Sequence, residues 1–425
     1  MQKMDRRKFL GLGSLAGVSV LGAGALVGCG NSNNNSNTAA SSKILDLTDW
    51  DSIVAAAKGT TVNYWSYGTY EPLNNWYDTV LAPYLKEHYD VTLNVIGVAD
   101  TLDTVTQISS EMQAGITEGS VDAIYLNGEN FYTLMQANYL YGPMAANLPF
   151  SKYLDPTDIN NIYDTGVQIN GYEASWQSIH VVFYGDTAKV SKFPSTTDEL
   201  LEWCKANPGK FVYVDVSHYM GGDFVATIFA NILGEEVWNK VATDTTLSAT
   251  ELKQLIEPGL KYLRDLNPYL WSEGKTFPAD SSNTRQMYAD GELLISMSDG
   301  FPQGEMDEGI YPATTRCFLL EKCLAAFYYL AIPKNATNKA AALVMINAMG
   351  EPELQASDFE VLTQYPVIDI ARLSPEDKAL FDAVKIGEGM LAPEDFAGKT
   401  QPFASGRNID LIEEIWKEEV VGKYN

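Results

Sequence analysis

Basic residues are scarce in this chain. Among its 425 residues, Lys and Arg number 29 against 55 Asp and Glu, so the formal net charge is −26. Contacts to nucleic-acid phosphates need clustered Lys and Arg, so this balance excludes nucleic acid as a partner. Hydrophobic residues make up 46% of the chain, which suffices for a large core and excludes wholesale disorder. The length predicts two or three domains.

Histidine is scarcer still, and the common catalytic motifs are missing. His88, His180 and His218 are far apart and form no H-E-x-x-H or His-x-His pair. No G-x-S-x-G occurs in the body of the chain. Residues 398–400 resemble the end of a phosphate-binding loop, but Pro393 stands where its first glycine is required. We therefore predict no enzyme, no cofactor and no metal, with an exported enzyme as the alternative.

The first 28 residues differ from the rest. Basic residues between positions 3 and 8 precede an uncharged run at 10–27, an order typical of an export signal. Leu26-Val27-Gly28-Cys29 matches the bacterial lipobox, which predicts cleavage before Cys29 and lipid attachment to its thiol. Arg6-Arg7 favours the twin-arginine route, and the general secretory route stays open. A plain membrane anchor with a chance cysteine is the alternative.

A polar segment follows the lipobox. Residues 29–43 are mostly Asn, Ser, Ala and Thr, a composition typical of a flexible tether. The leader holds four basic residues and one acidic residue, so the exported body is more acidic than the whole chain. These features predict an extracytoplasmic protein attached to the cell membrane by lipid.

The remaining cysteines leave two readings open. Cys204 lies on the apolar face of a predicted helix, which favours a buried thiol. Cys317 and Cys323 are six residues apart around a predicted hairpin and could form a disulfide outside the cell. Two unpaired strand cysteines fit equally well, because the spacing fixes no geometry.

From residue 42 onward, short apolar strands alternate with amphipathic helices. Strands are predicted at 61–66, 91–96, 121–126, 178–184, 211–214, 293–297 and 325–332, with helices between and after them. This alternation predicts an α/β fold with a parallel sheet, which binds ligands outside the carboxyl ends of its strands.

Several segments in order resemble the YnjB-type extracellular solute-binding proteins of ABC importers. They are Leu126-Asn127-Gly128-Glu129-Asn130-Phe131, Asn207-Pro208-Gly209-Lys210-Phe211, Leu266-Asn267-Pro268-Tyr269-Leu270-Trp271, Ala289-Asp290-Gly291-Glu292 and Ala331-Ile332-Pro333-Lys334-Asn335-Ala336. The resemblance implies the two-lobed type-II periplasmic-binding fold with crossing hinge strands, a small-molecule solute, a permease with a separate ATPase, and a monomer.

The resemblance also implies the domain layout. We expect lobe I at 44–175, lobe II at 176–327, a return to lobe I at 328–362, and a C-terminal helical segment at 363–425. The hinge is expected near residues 173–177. Such lobes close on a solute by rotation about the hinge.

Candidate solute contacts in the first lobe follow two predicted strands. Gly68 would let backbone approach a ligand closely, although an ordinary strand–helix turn explains it too. Glu129 opens a helix whose free N–H groups converge, or it simply complements the helix dipole. The predicted contacts are Tyr67, Gly68, Thr69, Asn127, Glu129 and Asn130.

The hinge and second lobe supply the other candidates. Trp176 suits stacking on a flat ligand, with a core position as the alternative. Asp299 follows a strand and offers a carboxylate beside an aromatic, with a helix cap as the alternative. The predicted contacts are Trp176, Gln177, Tyr219, Gly222, Asp223, Asp299 and Phe301.

Acidic and aromatic groups side by side favour an organic cation through charge and cation–π contact. Thiamine or a polyamine is the expected solute, and sugars and then anions are the alternatives. A surface interaction protein without a small solute is a further hypothesis.

Overall fold

The computed structural model describes residues 45–126 and 128–421. The predicted export signal, the lipidation residue Cys29, the tether and the candidate contact Asn127 lie outside the described residues. Within the described ranges, no helix is long and apolar enough to cross a membrane.

The first part of the body is a series of β–α units. Alternate residues of its first strand are buried, as a strand packed on one face requires. The side chain of Asp100 caps one of the helices by accepting a hydrogen bond from the Leu102 N–H at 2.9 Å. The elements are α1 (Trp50–Ala57), β1 (Thr61–Tyr67), α2 (Glu71–Trp76), α3 (Ala82–Tyr89), β2 (Thr92–Val98), α4 (Thr101–Gln113), β3 (Ala123–Leu126) and α5 (Gly128–Gln136).

The middle of the chain begins with a hairpin and a strand of 14 residues. The longest helix in this part of the chain starts at a capping box, in which Ser248 and Glu251 exchange hydrogen bonds. The elements are β4 (Tyr163–Asp164), β5 (Val167–Gln168), β6 (Glu173–Asp186), α6 (Thr197–Ala206), α7 (Tyr219–Leu233), α8 (Glu235–Thr243), α9 (Ala249–Leu266), α10 (Ser281–Ala289), β7 (Ile295–Asp299) and α11 (Gln303–Asp307).

The last part returns to both sheets. The elements are β8 (Thr315–Phe318), β9 (Cys323–Ala331), α12 (Lys339–Met349), α13 (Pro352–Leu362), β10 (Tyr365–Pro366), α14 (Pro375–Asp382), β11 (Thr400–Pro402) and α15 (Gly406–Trp416). The C-terminal segment, expected to be helical, therefore also contains two short strands. Strands of two or three residues are too short to show a hydrophobic period in the sequence.

The strand β6 belongs to two sheets. Its residues 173–180 pair antiparallel with β9, and its residues 181–186 pair with β7 on one edge and β8 on the other. In the first lobe the strand order is β10-β6-β9-β3-β1-β2, with β1 parallel to both β2 and β3. The expected domain boundaries at residues 176 and 328 fall within β6 and β9.

Each lobe has its own hydrophobic core. Trp76, Phe131 and Tyr329 belong to the larger core around the first sheet. Phe224 and Trp416 belong to the second core, which α15 completes by packing against α9. The C-terminal segment thus reaches from the edge of the first sheet, at β10, into the second lobe.

One predicted strand is absent. Residues 211–214 form no strand pairing, and their backbone binds loops instead, since the Trp271 N–H donates to the Phe211 carbonyl at 2.9 Å. The apolar run there is buried because α7 covers it, so burial rather than a sheet explains the sequence pattern.

Candidate functional site

Three strands of the first sheet present tyrosines at the cleft edge. β1 ends at Tyr67, which is 40% exposed. On β3 and β9, most residues are buried, but Tyr125 and Tyr328 are only partly so. Their ring centroids lie 5.5 Å apart. Because β1 and β3 are parallel, their carboxyl ends meet at one edge of the sheet, where ligands bind in such folds.

The second lobe faces these rings with a tyrosine and two carboxylates. Tyr219 begins α7 and is 41% exposed. Its hydroxyl donates a hydrogen bond to the carboxylate of Asp299, the last residue of β7. Burial, together with the charges of Asp299 and Asp223, raises the pKa of Tyr219 to about 12. Asp223 itself is buried in α7.

Tyr328 lies close to residues of both lobes. Burial, together with the charges of Asp299 and Tyr219, raises the pKa of Tyr328 to about 12. Tyr328 is thus in electrostatic contact with the second lobe while its ring packs on Tyr125 of the first. The arrangement can place a planar or cationic group between aromatic rings and beside a carboxylate.

Asp299 is partly desolvated, and Arg285 and His218 lie close enough to act on its pKa. Burial raises the pKa of Asp299, and the charge of Arg285 acts in the opposite direction. Arg285 also pairs with Glu305 at 3.6 Å. A cavity of about 50 Å³ separates these side chains, enough for one or two water-sized groups. Its lining is Tyr184, Arg285, Ser298, Asp299, Gly300, Phe301, Pro302, Glu305 and Tyr311.

The structure corrects the prediction for Trp176 and Gln177. Trp176 has no exposed surface and packs 6.4 Å from Trp76 and 6.1 Å from Tyr125, measured between ring centroids. The Gln177 amide donates to both carboxylate oxygens of buried Asp358, at 2.8 and 2.9 Å. Both residues are buried where β6 belongs to the first sheet, so they support the cleft floor without facing it.

Two of three further predicted contacts have structural roles. Phe301 packs 5.1 Å from Tyr365, against the C-terminal segment. Gly68 allows β1 and β2 to approach, because a methyl group there would lie 2.6 Å from the Cα of Gly97. Gly222 is buried within α7. Packing explains Phe301 and Gly68 without a solute, whereas a methyl group on Gly222 would meet no atom within 4 Å, so packing does not explain the glycine there.

The start of α5 is already occupied by an internal carboxylate. The Gly128 N–H donates to Asp164, so one of the N–H groups predicted to converge there is satisfied within the chain. Glu129 is exposed and Asn130 is half-buried. Thr69 is exposed beside Tyr67. Tyr125 and Tyr328 were not predicted from the sequence. The available signal was their position between buried residues of their strands, which indicates that their side chains point to the other face.

Of the two alternatives for Cys317 and Cys323, the structure contains the unpaired one. Cys317 and Cys323 are both buried, free thiols. The Cys317 N–H donates to the Gly389 carbonyl at 2.8 Å, and the Cys323 N–H donates to the Lys399 carbonyl at 3.0 Å. Each cysteine is held by a different part of the C-terminal segment, because the chain between them crosses from one sheet to the other. Cys204 is a buried thiol, as expected.

Comparison with known proteins identifies the family. The chain matches the model of the bacterial extracellular solute-binding proteins over residues 79–382. It is also 32% identical to Protein YnjB of Escherichia coli (strain K12) over 312 residues, which are 72% of this chain and 79% of that protein. The chain belongs to this solute-binding family. The expected α/β, two-lobed fold is thereby confirmed, and the family is one of receptors rather than enzymes.

Solved structures agree on the fold of this solute-binding protein. The maltose-binding protein MalE of Listeria monocytogenes, in complex with maltose, aligns with a TM-score of 0.64 at 12% identity, over 86% of this chain and 94% of that one. The spermidine/putrescine-binding protein PotD of Streptococcus pneumoniae aligns with a TM-score of 0.55 at 13% identity, over 84% and 98%. Identities this low show the fold and leave the solute open.

Proposed function

We propose that this protein is the lipid-anchored extracytoplasmic receptor of an ABC importer, and that it captures an organic cation between its lobes by hinge closure. The observation that carries the proposal is the placement of Tyr125 and Tyr328 opposite Tyr219, beside the carboxylate of Asp299. A permease and a separate ATPase would complete the importer, with this chain as a monomer attached through Cys29.

The electrostatics favour a cationic solute. Asp299 loses water contact by burial, which raises its pKa, so its ionised form gains from an added positive charge. Asp223 adds a second carboxylate near Tyr219. Arg285 pairs with Glu305 and is 44% exposed, so solvent screens its positive charge. Arg285 therefore competes only weakly with a cationic solute for the carboxylate of Asp299. An ammonium or a thiazolium-like ring over Tyr328 would gain cation–π energy as well.

A sugar is the second candidate. Tyrosine rings with adjacent carboxylates also suit a hydroxyl-rich ring, since apolar walls and a few placed polar groups define most small-molecule sites. The fold similarity to a maltose complex favours testing this class. The two candidates differ in their dependence on the charge of Asp299, because a neutral sugar gains no Coulomb energy from it.

The test is a binding panel on the full chain. Thiamine, spermidine, putrescine and maltose are titrated while the melting temperature is recorded, since a ligand of the folded state raises it. A cation that binds should lose affinity in Asp299→Asn, whereas maltose should not. Asp410→Asn removes the same charge from an exposed position of α15 and serves as the control. Equal affinity for a cation in the wild type and Asp299→Asn would reject this site.

A further inference from the structure

A second connection joins the lobes outside the crossing strands. The hairpin β4–β5 lies between the start of α5 in the first lobe and the start of α15 in the second. Asp164 of this hairpin accepts the N–H of Gly128 and the hydroxyl of Thr165, the latter at 3.0 Å. The hairpin is thereby fixed to the first turn of α5.

The tip of the same hairpin touches the second lobe. A methyl group on Gly166 would lie 2.7 Å from the Cβ of Ser405 and 3.3 Å from the carbonyl oxygen of Ala242. Ala242 is part of the second core, and the Ser405 N–H donates to its carbonyl at 2.9 Å. Gly166 has a φ of +85°, so glycine is favoured both by conformation and by space.

Glu129 reaches the second lobe from the other side of this contact. A methyl group on Gly406, the first residue of α15, would lie 3.4 Å from Oε1 of Glu129. The first turn of α15 contains no acidic residue of its own, and Arg407 follows directly. A carboxylate at a helix N-terminus is stabilised by the exposed N–H groups and by the helix dipole. Glu129 therefore supplies the negative charge that the first turn of α15 lacks.

We propose that residues 128–129, 164–166 and 405–406 form a latch that favours the closed arrangement of the lobes, with Glu129 as a positioning residue that does not touch the solute. α5 begins at the cleft edge of β3, so a contact from its first turn to the second lobe draws the lobes together at the cleft. The latch rests on the proposed function, because it acts through the hinge closure of a receptor.

The latch is tested without any solute. Spin labels on Glu118→Cys and Lys261→Cys, exposed positions in opposite lobes, report the interlobe distance of the full chain in a Cys29→Ser background. Glu129→Gln should lower the ratio of closed to open molecules by about two- to fivefold, the usual effect of a charge at a helix terminus. Glu129→Lys should lower it further. Raising the salt concentration from about 20 mM to about 0.5 M should open the wild type but leave Glu129→Gln unchanged.

The matched control is Glu71→Gln. Glu71 is exposed in the first turn of α2 and carries the same charge in the same lobe. The latch is overturned if Glu129→Gln and the wild type give the same distance distribution at low salt, or if Glu71→Gln shifts it equally. Because no solute is present, these outcomes are independent of the binding panel. A failed panel with a positive latch result would reject the solute and keep the closure mechanism.

Discussion

The buried carboxyl groups of Asp164, which belongs to the latch, and of Glu173 should make stability depend on pH. Asp164 is 3% exposed, and burial raises its pKa from 3.8 to about 6. Glu173 is 1% exposed, and neither of its carboxyl oxygens has a hydrogen-bond partner in the described part of the chain. Burial and the nearby Asp164 raise the pKa of Glu173 well above its ordinary value. Asp158 and Tyr329 are the other titratable groups close to the pair.

The sign of the effect follows from proton uptake. With a raised pKa in the folded state, Asp164 contributes stability that is fully present below pH 3.8 and is lost as the pH rises through about 6. A shift of about two units corresponds to roughly 3 kcal/mol of unfolding free energy. The wild type should therefore lose stability between pH 5 and pH 8 through this group.

The substitution Asp164→Asn should remove this loss. Its amide oxygen can still accept the Gly128 N–H, so the cap on α5 is retained while the buried charge is not. Urea unfolding at pH 5 and pH 8 measures the difference. We expect the wild type to lose about 1.5 kcal/mol more than the variant across this interval, because the rest of the roughly 3 kcal/mol is already lost between pH 3.8 and pH 5. Removing the Asp164 charge also lowers the pKa of Glu173 toward its ordinary value, which adds to the difference. Equal losses would refute the assignment of a buried, raised-pKa carboxyl at this position.

Two further substitutions test the cleft and its frame. Tyr328→Ala should weaken binding of an organic cation by about 2- to 30-fold, because it removes the ring that makes the cation–π contact. Tyr328→Phe keeps the ring and should keep most of the affinity. Titration calorimetry distinguishes the two variants, and equal weakening by both would argue that the hydroxyl makes the contact. Gly68→Ala should destabilise the fold by about 1–3 kcal/mol, because its methyl group would overlap the backbone of Gly97. Urea unfolding measures this loss, and an unchanged midpoint would show that the strands can separate there.

Part of the site could be predicted from local sequence. Tyr67, Tyr219 and Asp299 stand where a strand ends or a helix begins, and such positions follow from periodicity and capping residues within a few positions. Their role in binding stays a prediction. Their assembly into one cleft could be inferred only from the fold, since the sequence separation between Tyr67 and Asp299 exceeds two hundred residues.

The positions of the residues that were not predicted, or were predicted wrongly, depend on the register of the sheet. Tyr125 and Tyr328 lie inside strands whose other residues are mostly buried, and only the pairing of β3 with β9 shows that they point to one edge. Trp176 has the composition of a ligand-stacking residue, but the neighbours that bury it, such as Trp76, lie a hundred residues away. A single sequence gives no record of those contacts.

From the register of β6 we predict a hinge slightly later in the chain than residues 173–177. The expected hinge was near residues 173–177, but those residues are fixed in the first sheet. The pairing partner of β6 changes from β9, at His180, to β8, at Phe183. We therefore predict that rotation of the lobes bends the chain near these residues, where β6 passes from pairing with β9 to pairing with β7 and β8.

A hinge at this place would bring the candidate site to the bend itself. Asp299 pairs with Val181, and the Gly300 N–H donates to the His180 carbonyl at 3.1 Å. Tyr328 lies on β9 only three residues beyond Ala325, the partner of His180. A solute held between Asp299 and Tyr328 would therefore bind residues on both sides of the bend. Its binding energy would act directly on the angle between the lobes, with no need for a longer chain of contacts to transmit closure.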